Sequence, residues 1–175
     1  GVHGEKLKEV ILKLYPEVFS GLGRLEPPYH MKLEEDSIPV IHPPRKIPVS
    51  LRNRLKEELD EMETAGVIKK VDEPTEWVNS LVTVEKPDGS LRLCLDPRDL
   101  NKVVKREHFQ LPTFEDISTR LAGATHFTKL DANKGYWQIP LDESSSQLTT
   151  MNTPFGRYRF TRLPYGIHSA QEVFY

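Results

Sequence analysis

The chain reads as an α+β fold in which antiparallel hairpins pack with helices, and three stretches carry that reading. Residues 50–66 (SLRNRLKEELDEMETAG) place Leu51, Leu55, Leu59 and Met62 on one face at helical spacing. In KPDGSLRLCLD, an Asp-Gly turn sits between two β-prone runs, the strongest short-range hairpin signal available. A second hairpin is expected around Pro154-Phe155-Gly156, with strands over 149–153 and 158–162.

Composition narrows the class. A 175-residue chain with 37% hydrophobic and 29% charged residues can bury a core as one domain or two joined subdomains. No apolar run approaches transmembrane length and no secretory h-region opens the chain, so no membrane partner is expected. The single cysteine, Cys94, excludes an internal disulfide or a cysteine-built zinc site; it is expected as a small buried side chain in a reducing compartment. The six histidines are scattered, and no pair has metal-ligand spacing. A net charge of −2 does not exclude nucleic acid, because the cations cluster locally.

In chain order, Leu7, Val10, Ile11 and Leu14 share a helical face within 5–19, ended by Pro16 and the glycines at 21 and 23. Six prolines between Leu25 and Ser50 exclude a helix there, leaving an extended strap or a disordered linker. The strap is preferred, since Ile38, Val40, Ile41 and Ile47 would be wasted in a linker. Ser50 is the expected N-cap of the 50–66 helix, whose cations come early and acids late, against the helix dipole. Such an inversion suits either a ligand at the basic end or a solvated charged face. Short strands are expected over 67–71, 80–85 and 91–95, and a turn or short helix over 97–100. Thr113 is the expected N-cap of a helix over 113–121, with Glu115 and Asp116 in its first turn and Gly123 as its stop. One helical turn over 143–147 and a helix start at 169–175 complete the reading.

The chemistry centres on FTKLDANKGYWQIPL, residues 127–141. An apolar run (Phe127, Thr128, Leu130) ends in Asp131, turns through Asn133-Lys134-Gly135 and leaves as a second extended run, Tyr136 to Leu141. A carboxylate at a strand tip suits a hard-metal ligand for phosphoryl transfer, and equally an Asp capping a turn. Lys86 and Arg92 flank the Asp-Gly turn on adjacent strands, so their cationic ends could converge on one anion or lie solvated.

Three ordered segments resemble the reverse transcriptase of gypsy-class LTR retrotransposons and, more distantly, retroviral reverse transcriptases. They are WVNSLVTVEKPDGSLRLCLDPRDLN, LPTFEDISTRLAGATHFTKLDANKGYWQIPL and TPFGRYRFTRLPYGIHSAQEVF. The resemblance implies a right-hand polymerase fold: an N-terminal helix and proline-rich strap over 1–46, fingers over 47–101, and the first part of an incomplete palm over 102–175, interleaved with the fingers.

It further implies that Asp131 is the first of three metal-binding carboxylates, with the Ala132 carbonyl as a further ligand for Mg²⁺. Lys86 and Arg92 would hold the incoming dNTP's phosphates, with Lys134 and Gly135 in the turn that faces the triphosphate. Tyr136 would exclude a 2′-OH, and Tyr165 in LPYG would pack against the same nucleotide. Asp96 and Arg98 would lie on the template side of an RNA/DNA primer–template. The other two carboxylates come as a YxDD turn after the LPYG segment in this family, and no Asp-Asp pair exists in this chain. One carboxylate cannot clamp two ions about 4 Å apart, so the chain alone is expected not to polymerise. The expected function is therefore a fragment of an RNA-directed DNA polymerase, in the cytoplasm (retroelement particle) or nucleus, its unfinished palm sheet covered by the remaining polymerase segment or a protein partner. The alternative is a retroelement remnant that binds nucleic acid or protein without catalysis.

Overall fold

The computed structural model describes residues 2–106, 112–125, 127 and 131–174. It is a mixed helix-and-strand structure with antiparallel strand pairs, as expected of an α+β fold. The helix at 50–66 is α2, Val49–Thr64, and it buries Leu55, Leu59 and Met62. Ser50 is not its cap: the chain enters through Pro48, whose ring sets the backbone at the N-cap, so Ser50 already lies within the first turn. Strand β1 (Ile68–Val71) follows at once, with β2 (Ser80–Glu85) and β3 (Leu91–Asp96) beyond the irregular stretch at 72–79.

The expected Asp-Gly hairpin forms, with Val84 opposite Arg92 and Glu85 opposite Leu91. A three-residue loop closes it: the Lys86 N–H donates to the Ser90 carbonyl and the Gly89 N–H to the Lys86 carbonyl. Asp88 accepts from both the backbone and the hydroxyl of Ser90, which holds its carboxyl below the ordinary range. Along β3, Leu91, Leu93 and Leu95 face the core beneath α2, while Arg92, Cys94 and Asp96 take the other face. Cys94 is thus only half-buried, because strand alternation turns it away from the leucines.

The second hairpin, β4 (Met151–Thr153) and β5 (Gly156–Phe160), joins β1 in a three-stranded antiparallel sheet of order β1-β5-β4. Ile68 pairs with Phe160 and Lys70 with Tyr158, so strands 90 residues apart share one core with α2. Arg157 bonds the Thr75 hydroxyl and the Glu73 carbonyl, tying the irregular stretch to this sheet.

Helix α3 (Arg98–Val103) fulfils the expected short helix, and α4 (Phe114–Leu121) starts at Thr113 with a reciprocal capping box to Asp116. The expected strand over 128–130 lies outside the described residues. The second run of that stretch is not extended throughout: Gly135–Gln138 forms a 3-10 turn, and only Pro140 and Leu141 make strand-like bridges. Lys134 is the cause, since its left-handed backbone (φ 49°, ψ 50°) folds the chain back and buries Trp137.

The proline-rich segment is an ordered strap. Tyr29 donates to the Pro140 carbonyl and accepts from the Asp142 N–H, Met31 donates to Ser145 Oγ, and His42 and Val40 bracket Val78. Val40 and Ile47 pack against the core as expected, but Ile38 (78% exposed) and Ile41 (66%) do not; the bridge of Ile41 to Val78 uses backbone only. Helix α1 (Val2–Leu14) forms, yet Leu7 and Leu14 are more than 60% exposed, uncovered by the described residues.

Asp142 locks the strap down. It caps α5 (Glu143–Leu148) through the Ser145 N–H at 2.9 Å and meets His30 Nδ1 at 2.6 Å. Partial burial opposes its ionised form, but the bonds from Ser145, His30 and Ser144 outweigh it and hold the carboxyl at about 2. A depressed carboxyl stabilises the fold above the unfolded value and loses that contribution as pH falls through the folded one. Urea midpoints should therefore drop between about pH 4 and pH 2, and Asp142→Ala should cost about 1 kcal/mol at pH 7 while flattening that part of the profile.

Candidate nucleotide pocket

A cavity of about 200 Å³ opens where the β2–β3 hairpin, α2 and the turn after Asp131 meet. Lys86 reaches it from the end of β2 and Arg92 from the second residue of β3, which the three-residue loop sets side by side. Lys134 lines it from the left-handed turn, its Nζ 4.9 Å above the Trp137 ring. Tyr165 and Trp137 form an aromatic wall, their centroids 6.4 Å apart. Among the described residues neither Lys86 nor Arg92 has an ion-pair partner within 4 Å. Three cations around a small cavity make a site for a multiply charged anion.

Four of the residues proposed from sequence thus meet at one place: Lys86, Arg92, Lys134 and Tyr165. Tyr136 does not line the cavity but supports it, packing against Tyr165 at 5.0 Å with the rings tilted by 40° and meeting Phe174 of α6 (Ala170–Phe174) edge-on at 5.5 Å. Gly135 lies beside Phe174 too; a Cβ there would come within 2.6 Å of that ring. Asp131 and Ala132 are exposed, two or three residues ahead of Lys134 and outside the cavity wall.

Asp96 and Arg98 sit apart from this group. Asp96 is four residues along β3 from Arg92, about 13 Å at strand rise. Its carboxylate takes Arg45 at 2.5 Å and Arg98 at 2.9 Å, while the Arg98 side chain stays 74% exposed.

Three further residues shape the pocket without a plain mark in the sequence. Trp137 adjoins Tyr136 and was legible as an aromatic, but only the 3-10 turn shows that it faces the cations. Glu58 lines the cavity from α2 amid a run of acids that conceals it. Asn101 holds the Tyr165 turn from both sides, donating to the Gly166 carbonyl at 2.8 Å and accepting from the His168 N–H at 2.9 Å. No local signal marks that role.

The reverse transcriptase (RNA-dependent DNA polymerase) family profile matches residues 84–174, more than half of the chain and nearly all of the pocket. The chain belongs to the reverse transcriptase family. Over 172 residues it is 33% identical to an uncharacterized protein of Caenorhabditis elegans, covering 95% of this chain and 13% of that protein. Over 83 residues it is 43% identical to the retrovirus-related Pol polyprotein of transposon 412 of Drosophila melanogaster, covering 47% of this chain and 7% of the polyprotein. The prototype foamy virus protease–reverse transcriptase superposes with a TM-score of 0.83 at 21% identity, over 99% of this chain and 24% of that one. The foamy viral enzyme in complex with RNA/DNA hybrid gives 0.76 at 20% identity, with the same coverage. The fold is therefore that of reverse transcriptase polymerases, and this reverse transcriptase fragment spans a minor share of these relatives' length.

Reverse transcriptases use divalent metal ions. Among the described residues the donor set does not make a complete site: Asp131 is an exposed carboxylate, and no group of three or more His, Cys, Asp or Glu is placed to hold a metal.

Proposed function

We propose that this chain is the fingers (47–101) and first palm segment (102–175) of a gypsy-class RNA-directed DNA polymerase, with 1–46 as its N-terminal helix and strap. The cavity is its phosphate pocket. What carries the reading is that Lys86, Arg92, Lys134 and Tyr165, from three separate segments, line one cavity. The cations would hold the triphosphate of a dNTP, with the Gly135 turn beneath it. Tyr136, braced by Tyr165 and Phe174, would stand as the bar against a 2′-OH. Asp131 and the Ala132 carbonyl would contribute to a Mg²⁺ site completed by carboxylates from outside the described residues. Arg98, oriented by Asp96, would approach the template strand of an RNA/DNA primer–template.

Primer–template binding tests the nucleic-acid half of this reading. Affinity should fall about tenfold or more between about 50 and 200 mM salt as phosphate contacts are screened. An affinity independent of salt, or none at low salt, would favour a chain whose pocket has lost that use.

A further inference from the structure

The phosphate-pocket reading leaves one lining residue without a task. Glu58 projects from α2 into the same wall as Lys86, Arg92 and Lys134. On the helix its natural partner is Arg54, one turn back. Arg54 instead turns to Glu85 of β2, with Nη1 3.2 Å from Oε2. Glu58 is therefore left half-buried, with no ion pair of its own among the described residues and three unpaired cations around the space it faces.

We infer that Glu58 is the built-in counter-ion of this pocket: its carboxylate balances the cations while the cavity is empty and takes up a solvent proton when a phosphate chain enters. This rests on the phosphate-pocket reading and adds a residue to it. The charges that bear on Glu58 are Glu61 on its own helix, Lys86 and Arg92 on the hairpin, and Lys134 on the turn. Burial and Glu61 push its carboxyl above the ordinary range, while Lys86 and Lys134 pull it down. Adding phosphate charge to the cavity removes the pull of the lysines and reinforces the push, so protonation follows binding. Protonating Glu58 at neutral pH costs free energy that binding must supply, which keeps retention of the bound chain weak.

The test uses the 175-residue chain and inorganic tripolyphosphate without metal, followed by calorimetry in two buffers of different ionisation enthalpy at pH 6 to 8. Glu58→Gln should tighten binding about tenfold at pH 7.5 and remove the part of the proton uptake that exceeds tripolyphosphate's own. Glu57→Gln, exposed on α2 and outside the cavity wall, should leave affinity unchanged. If the native chain binds, and Lys86→Ala with Arg92→Ala weakens binding about 100-fold, while Glu58→Gln changes neither affinity nor proton uptake, the counter-ion role is overturned and the pocket stands. If Glu58→Gln weakens binding, that role is overturned as well. If the native chain fails to bind, or the double variant binds as tightly as it does, the pocket and the counter-ion fall together.

Discussion

Replacing Lys86 and Arg92 together by alanine should weaken dNTP or tripolyphosphate binding about 100-fold. A hydrogen bond to a charged group contributes about 1.5–3 kcal/mol, and two such losses give at least that factor. The hairpin is closed by backbone bonds and by Asp88, none of which uses either side chain. Both residues are exposed, so the thermal midpoint should barely move, within about 0.5 kcal/mol of stability. Trp137 lines the cavity and supplies the readout as fluorescence. Unchanged affinity would make the two cations merely solvated.

Gly166→Ala is expected to have the largest effect on stability, about 2–4 kcal/mol. Gly166 has φ 108°, which an L side chain rarely adopts, and a Cβ would meet the Leu95 carbonyl at 2.7 Å and the Pro97 ring at 3.3 Å. The obstacle is backbone at the end of β3, so it cannot swing aside. Gly156→Ala makes the control. Its φ is 109°, but nothing lies within 4 Å of the added Cβ. It should therefore cost only the conformational part, about 1–2 kcal/mol. Urea denaturation of both variants separates the clash from the backbone strain. Because Asn101 clips the same turn and Tyr165 precedes it, Gly166→Ala should also displace the aromatic wall and weaken nucleotide binding.

Legibility followed the range of the interaction. The α2 stripe, the Asp-Gly hairpin and the Thr113 capping box depend on residues within a few positions of one another, and the structure contains all three. The turn at 133–135 was visible as a turn, but the 3-10 path after it was not: strand propensity in Tyr136 to Leu141 was overridden by the left-handed Lys134 and the burial of Trp137. Ser50 looked like a cap by composition, while Pro48, two residues earlier, set the backbone that starts the helix.

The sequence alone determined which elements exist and which side chains could serve a phosphate, because periodicity, turn chemistry and the three family segments are local properties of the chain. Only the tertiary structure decided that β1 pairs with β5 rather than β2, that Arg54 deserts Glu58 for Glu85, and that Asn101 clips the Tyr165 turn. Those outcomes come from competition among partners far apart in sequence, and burial and hydrogen-bond geometry settle such contests only once the chain is folded.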